Sequence, residues 1–282
     1  GVEVRVVESS AAGELDAEAL ALALDGARLL VLNHVSNVLG TALPVAELAS
    51  AAHRAGALVL LDAAQSAGHV PLDVGALDVD MVAITGHKGL LGPQGTGALW
   101  VRAGVDVEPL LRGGAGGDSW LEDMPAALPD RLEAGTLNGP GIAGWLAALE
   151  WLAGEDVAVV HRRLADLKAD LRAGLEAVPG VRVLSPPAPD GAAIVTIDVQ
   201  GFDPAVLATR LDREHGVLTR PGLHCAPEAH AVIGTARRGA VRFSLGWASE
   251  RRDVERAIEA VRTVVAGAGR AGPATAAMSH RT

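Results

Sequence analysis

Short apolar runs alternate with helix-period segments along the first third of the chain. The apolar runs cover residues 29–32, 57–61 and 80–84, and helical patterns cover 16–24 and 45–55. This alternation predicts βαβ units and therefore an α/β fold, a mainly parallel sheet with helices on both faces. Residues 2–7 alternate charged and apolar positions, which predicts a further, half-buried strand.

The second half of the chain has a different pattern. It predicts helices over 140–152, 156–178, 204–214 and 250–265, and strands over 181–184, 193–199 and 241–245. We expect a large domain over 1–139, a linking helix with a small α+β domain over 140–266, and a flexible tail over 267–282. Gly-rich segments at 89–97 and 113–117 predict a rigid turn and a flexible loop.

Composition narrows the class of protein. The chain has 282 residues, 49% of them hydrophobic, and a formal net charge of −10. That charge disfavours nucleic acid and anionic membranes as partners, and no apolar stretch is long enough to span a bilayer. An acidic residue at position 3 is unlike a signal peptide, and one cysteine excludes an internal disulfide, so we expect a soluble, cytoplasmic protein.

Polar residues follow the predicted strands at the ends where ligands bind in open α/β sheets. Asn37, Asp62 and Lys88 all lie at or just after such an end, so they are predicted to face one pocket. A lysine that is partly desolvated in a Gly-flanked turn can form an imine, although loop lysines are more often simply solvated. Asp62 alone is more often a helix cap, but beside Lys88 it can hold a pyridine nitrogen protonated.

Four ordered motifs together carry a family resemblance. They are Asp-Ala-Ala-Gln at 62–65, Thr-Gly-His-Lys at 85–88, Arg-Pro-Gly-Leu-His-Cys-Ala-Pro at 220–227 and Gly-Ala-Val-Arg-Phe-Ser at 239–244. Segments 33–37 and 131–136 extend the match. The chain resembles the cysteine desulfurase and selenocysteine lyase family of class V aminotransferase-like proteins, which have the fold of type I pyridoxal-phosphate enzymes.

The resemblance implies that the large domain binds pyridoxal 5'-phosphate. Lys88 would form the imine with it, Asp62 would pair with the pyridinium nitrogen, and Gln65 would bond the phenolic oxygen. Thr85 and His87 would hold the phosphate, and His87 would also count among the catalytic residues with Lys88 and Cys225. The family often has Ser where Thr85 stands, and both side chains supply a hydroxyl.

The resemblance also implies substrate contacts and a partner subunit. Asn37, at the cofactor's edge, and Arg242 would bind the carboxylate of an amino acid substrate, with Arg220 beside them. Thr136 would reach the phosphate of a neighbouring subunit, which implies a homodimer. The sulfur would pass to an acceptor protein or a small thiol, in sulfur metabolism such as iron–sulfur cluster assembly.

Cys225 would receive the sulfur as a persulfide. A lone cysteine is more often a buried structural residue, but this one lies inside a matched motif, in a Pro/Gly-bounded loop beside His224 and near Arg220. No second Cys pair or Cys/His cluster has zinc spacing, so a metal site at His224, Cys225 and His230 is disfavoured. The glycines at 113–117 do not fit a dinucleotide site.

Three functions remain open from the sequence. The first is a cysteine desulfurase, the second another class V enzyme such as a transaminase or carbon–sulfur lyase, and the third a non-catalytic remnant that binds a partner. Relative to the family the chain lacks an N-terminal portion with a phosphate-binding loop at a helix N-terminus. We therefore expect either a fragment of a longer protein or a truncated protein that binds the cofactor weakly.

Overall fold

The computed structural model of the protein describes residues 1–114, 117, 120–187 and 189–268. The first four strands form one sheet in the order β1-β2-β3-β4: β1 (Leu29–Asn33), β2 (Leu58–Asp62), β3 (Met81–Thr85) and β4 (Gly97–Val101). β1, β2 and β3 are parallel, and β4 pairs antiparallel with β3. The predicted α/β fold with a mainly parallel sheet is therefore confirmed.

Three helices cover one face of this sheet: α1 (Ala17–Leu24), α2 (Val45–Arg54) and the short α3 (Val74–Leu77). Asp16 caps α1, because its carboxylate accepts the N–H groups of Glu18 and Ala19. The buried core between the helices and the sheet includes Leu20, Leu24, Val45, Leu48, Val59 and Leu61.

The opposite face of the sheet carries both apolar and polar side chains. Leu29, Val31 and Leu58 are exposed there, although each belongs to a strand. Since strand side chains alternate in direction, Asp62 at the end of β2 points to this same face. The face that holds the apolar core is thus separate from the face that offers polar groups to a ligand.

The second half of the chain forms an antiparallel sheet in the order β5-β6-β8-β7. Its strands are β5 (Val181–Val183), β6 (Ile194–Val199), β7 (Arg220–Gly222) and β8 (Ala240–Ser244). Its helices are α5 (Val157–Glu176), α6 (Pro204–His215), α7 (Pro227–Val232) and α8 (Arg251–Ala268), and α4 (Gly139–Ala153) and a 3-10 turn (Asp130–Leu132) precede them. A core of Leu and Val side chains lies between α5, α6, α8 and the sheet.

Polar contacts join the two halves. The loop after β1 receives a hydrogen bond from Thr196 Oγ1 at the Val38 carbonyl, and Lys168 Nζ donates to the Gly40 carbonyl at 3.4 Å. A Cβ on Gly191 would lie 1.7 Å from the Gly40 oxygen, so the two backbones meet where only glycine fits. The loop after β1 is therefore held in place by residues far away in sequence.

The predicted strand over residues 2–7 is wrong. Val2, Val4 and Val6 are exposed, and these residues pair with no strand in the part of the chain that the structure describes. A segment with alternating apolar and charged residues forms a stable strand only when its backbone can form hydrogen bonds with a neighbouring strand. Here the segment is fixed instead by Arg5, whose guanidinium donates to the carbonyl oxygen of Asp25 at 2.5 Å.

The other predicted elements agree with the structure to within a few residues. Four short elements were not predicted: α3, β7, α7 and the 3-10 turn at Asp130–Leu132. The two-domain division stays a prediction, and α8 extends to Ala268, so residues 267 and 268 continue that helix. The remaining residues of the predicted tail, 269–282, and residues 115 and 116 of the predicted flexible loop lie outside the described residues.

Leu61→Ala should destabilise the protein, since this side chain is fully buried between β2 and the helices. Loss of a buried leucine leaves a cavity, and we expect a cost of about 2–5 kcal/mol in the free energy of unfolding, measured by urea denaturation. Leu58→Ala, on the exposed face of the same strand, is the matched control. Equal losses in both variants would contradict the assignment of the faces.

Candidate active site

The ends of three parallel strands bring the predicted cofactor residues to one edge of the sheet. Asn33 of β1, Asp62 of β2 and Ala83 of β3 are neighbours in register. Thr85 lies two residues beyond Ala83, so its side chain points to the same face as Asp62. Lys88 follows three residues later in the turn that ends β3.

The turn that carries Lys88 is tightly fixed. The Gly86 N–H donates to the Thr96 carbonyl at 2.9 Å, and the Gly92 N–H donates to the Gly86 carbonyl at 2.7 Å. A Cβ on Gly92 would lie 2.6 Å from the indole ring of Trp145, so α4 packs directly against the turn. The side chains of Lys88 and His87 are exposed from this rigid base.

Asp62 has one oxygen engaged and one available. Its Oδ1 accepts the Ala64 N–H at 2.9 Å, which fixes the carboxylate at the start of a turn that carries the half-buried Gln65. In the described structure neither Asp62 nor Lys88 takes part in an ion pair. A negative and a positive group thus stand at adjacent strand ends without neutralising each other.

Asn37 connects this edge to the second half of the chain. The side-chain Nδ2 of Asn37 donates to the backbone carbonyl of His224 at 2.6 Å. The backbone carbonyl of Asn37 accepts from Arg242 Nη1 at 2.8 Å. These two bonds bring together residues that are separated by 187 and 205 positions in sequence. Asn37, Arg242 and the loop that contains Cys225 are therefore neighbours.

Arg242 and Arg220 lie opposite each other on β8 and β7. Burial is the main cause that lowers the pKa of Arg242, and the charge of Arg220 lowers it further, while the interaction with Cys225 raises it. Arg242 Nε is buried and has no hydrogen-bond partner in the described structure. An anionic group placed here would satisfy this donor and relieve the repulsion between the two guanidinium groups.

Cys225 lies in the loop between β7 and α7, and its side chain is exposed. Both His224 and Cys225 have positive φ angles, 53° and 61°, which L-residues rarely adopt. The neighbouring His224 is instead buried, and burial is the main cause that lowers its pKa to about 4. The loop therefore buries the imidazole and turns the thiol outward.

Thr136 is also exposed, and in the part of the chain that the structure describes no hydrogen bond or ion pair joins it to the residues above. Its predicted contact with a neighbouring subunit stays a prediction. No group of three or more potential metal ligands occurs in the described residues, and no helix found there is long and apolar enough to cross a membrane.

Lys168 is the other lysine of the chain and illustrates why a pKa alone does not identify a reactive amine. Burial lowers its pKa to about 8, which by itself is typical of a nucleophilic lysine. However, Lys168 is 3% exposed and lies under the loop after β1, whereas Lys88 is open to a ligand. Accessibility therefore favours Lys88 over Lys168 as the amine that can react with a ligand.

Comparison with known proteins decides the family. Residues 1–257 match the profile of the family described as aminotransferase class-V. The chain belongs to this family. Among curated relatives, it is 36% identical over 252 residues to a "Probable cysteine desulfurase" of Methanothermobacter thermautotrophicus, covering 84% of this chain and 62% of the relative.

Further members support the same assignment. The chain is 34% identical over 275 residues to a "Cysteine desulfurase" of Escherichia coli O127:H6, covering 94% of this chain and 65% of the relative. The apo structure of a cysteine desulfurase from Thermococcus onnurineus aligns with a TM-score of 0.81 at 30% identity, covering 93% of this chain and 66% of that one. The chain thus spans slightly less than two thirds of the length of these proteins.

The pH dependence of stability should reflect the buried His224. Its pKa is about 4 in the folded protein, against an ordinary value of 6.5. As the pH falls below 6.5, His224 binds a proton in the unfolded chain but stays neutral in the folded chain. The free energy of unfolding should therefore fall between about pH 6.5 and about pH 4.

Chemical denaturation at several pH values measures this effect. His224→Gln removes the titrating ring, so the pH slope of the variant should be shallower than that of the unmodified protein. The difference between the two slopes separates His224, together with its hydrogen-bonded neighbour His230, from His34 and His69, whose pKa values burial also lowers. Parallel slopes would show that His224 titrates normally in the folded state.

Proposed function

We propose that the protein is a pyridoxal-phosphate-dependent cysteine desulfurase, which converts L-cysteine to L-alanine and leaves a persulfide on Cys225. The observation that carries this proposal is the exposed Cys225 thiol in a loop that is hydrogen-bonded to Asn37, beside the partly unsatisfied Arg242. The family and the names of the relatives favour the same reaction. The role of each site residue is also part of this proposal.

The residues at the sheet edge fit pyridoxal phosphate. The free oxygen of Asp62 suits the pyridinium nitrogen, the amine of Lys88 suits the aldehyde, and Gln65 suits the phenolic oxygen. Thr85 and His87 would hold the phosphate beside the fixed turn. When bound, this cofactor supplies an electron sink for negative charge on the α-carbon of the substrate.

The carboxylate of the substrate is proposed to bind Arg242. Nη1 of this residue is held by the Asn37 carbonyl, so the guanidinium plane is fixed before any ligand arrives. Its buried Nε then remains to donate to a carboxylate oxygen, and the second guanidinium at Arg220 increases the local positive charge. This arrangement selects a small amino acid over a neutral compound of the same size.

Proton and sulfur transfer are assigned to two side chains. The neutral amine of Lys88 removes the α-proton of the substrate and holds it on Nζ. The Cys225 thiolate attacks the substrate sulfur, a sulfur–sulfur bond forms, and the carbon–sulfur bond breaks with its electron pair retained by carbon. The carbon that keeps this electron pair takes up a proton, and Lys88 returns the proton held on Nζ to the α-carbon, so that alanine is released. The sulfur remains on Cys225 as a persulfide for an acceptor protein or small thiol.

Association of two subunits is the proposed quaternary state. Ile142, Leu146 and Leu149 form an exposed apolar face on α4, at helical spacing, and Leu111 and Leu137 are exposed as well. An apolar surface of this kind is typical of an interface rather than of solvent contact. A homodimer that covers this surface would also bring Thr136 towards a neighbouring cofactor, as the family resemblance implies.

Cys225→Ala should separate the desulfurase from other reactions of the family. Without the thiol, persulfide and sulfide release from L-cysteine should fall by more than about 100-fold, because the attacking nucleophile is gone. Binding of pyridoxal phosphate, followed by its visible absorption, should stay unchanged and serves as the control. Undiminished turnover in this variant would favour a transaminase or a simple carbon–sulfur lyase.

Borohydride reduction should attach pyridoxal phosphate covalently to Lys88. The chain contains only two lysines, so peptide mass spectrometry gives a choice between Lys88 and the buried Lys168. We expect the full label on Lys88, no label after Lys88→Ala, and an unchanged label after Lys168→Met. A label on Lys168, or none on either residue, would refute the proposed cofactor site, and the second result would favour a non-catalytic remnant.

A further inference from the structure

Three buried side chains form a continuous hydrogen-bonded relay behind Cys225. His224 Nδ1 lies 3.0 Å from His230 Nε2, and His230 Nδ1 lies 2.7 Å from Thr235 Oγ1. At the other end, His224 Nε2 lies 2.8 Å from the Arg220 carbonyl oxygen. The three side chains are 5%, 0% and 3% exposed, so no solvent competes for these bonds.

The direction of every bond in the relay follows from its last acceptor. A carbonyl oxygen can only accept, so Nε2 of His224 carries the proton and its Nδ1 has the lone pair. His230 must then donate from Nε2 to His224, and its Nδ1 accepts from the hydroxyl of Thr235. With both imidazoles neutral, each ring nitrogen makes one hydrogen bond. Burial lowers the pKa of both rings, so both stay neutral at neutral pH.

The relay spans the base of the loop that presents the thiol. His224 precedes Cys225, and His230 lies on α7, the helix that follows the loop. Thr235 is fixed in turn, since its N–H donates to the His230 carbonyl at 2.8 Å and its carbonyl accepts the Gly239 N–H at 2.7 Å. A Cβ on Gly239 would lie 2.3 Å from the Gly222 backbone, so the relay is anchored where β7 and β8 meet.

The loop needs such an anchor because of its backbone. His224 and Cys225 are consecutive non-glycine residues with positive φ, a conformation that costs free energy and persists only when surrounding contacts enforce it. Besides the relay, the short loop has the Ala226 N–H to Leu223 carbonyl bond and the contact from Asn37. Two side-chain contacts thus fix the residue before the thiol, the buried His224 ring and the Asn37 amide.

We propose that His230 is a positioning residue, which through His224 holds the loop in the conformation that directs Cys225 towards the substrate. His230 itself is fully buried and contacts neither the thiol nor the sheet edge by any hydrogen bond of the described structure. Its effect on catalysis rests on the proposed function, whereas its effect on the loop does not.

Two substitutions at position 230 distinguish positioning from simple packing. His230→Gln keeps an N–H donor near the place of Nε2 and can still bond His224, whereas His230→Leu fills similar space without any polar atom. Both variants are compared with the unmodified chain, each loaded with pyridoxal phosphate. Amide hydrogen exchange of residues 223–226 reports the loop, and steady-state desulfuration of L-cysteine reports the reaction.

We expect His230→Leu to accelerate amide exchange in the loop and to lower kcat about 10- to 100-fold, because small misplacements of a reacting group have effects of this size. KM for L-cysteine should change less than about twofold, since Arg242 is untouched. His230→Gln should restore both slow exchange and most of kcat.

Two results would overturn the positioning role. One is unchanged loop exchange in His230→Leu, and the other is an equal defect in His230→Gln and His230→Leu, which indicates loss of packing alone. An inactive unmodified chain would contradict the proposed desulfurase instead, and the exchange data would still decide whether His230 holds the loop.

Discussion

Two hydrogen bonds to Asn37 hold the site together. Its amide donates to the His224 carbonyl, and its carbonyl accepts from Arg242. Each bond contributes only about 0.5–1.5 kcal/mol, so the fold does not depend on them for most of its stability. Their importance is geometric, because they join the loop after β1 to the loop that carries the thiol. In the proposed site, such contacts bring the loop that carries the thiol next to the sheet whose edge carries the amine and the carboxylate.

The rest of the structure can be understood as support for that junction. Rigid glycine turns position the sheet edge, and the close approach of Gly40 and Gly191 holds the loop after β1 against the second half of the chain. On the other side, the imidazoles behind Cys225 fix a backbone that would otherwise relax. The polar groups with a proposed chemical role are exposed or half-buried, whereas His230, with a proposed positioning role, is fully buried.

Much of this was predictable from the sequence, for definable reasons. Asp62 and Lys88 end apolar runs of parallel strands, and the parallel order of those strands determines that they share an edge. The prediction of a strand over residues 2–7 was wrong, because alternating apolar and charged positions carry no information about whether another strand is available to pair with them. The hydrogen-bonded pair of His224 and His230 was also missed as a structural unit. Their spacing suggested only an unlikely metal site, and no local pattern reveals that a histidine is buried against another histidine.

The central claim is that sulfur from free cysteine is transferred to Cys225. The most direct measurement is to mix the cofactor-loaded protein with isotopically labelled L-cysteine, alkylate it and determine the mass of the peptide that contains Cys225. The account predicts that this peptide gains one labelled sulfur atom while one alanine is released per persulfide formed. Consumption of cysteine with Cys225 left unmodified would contradict it.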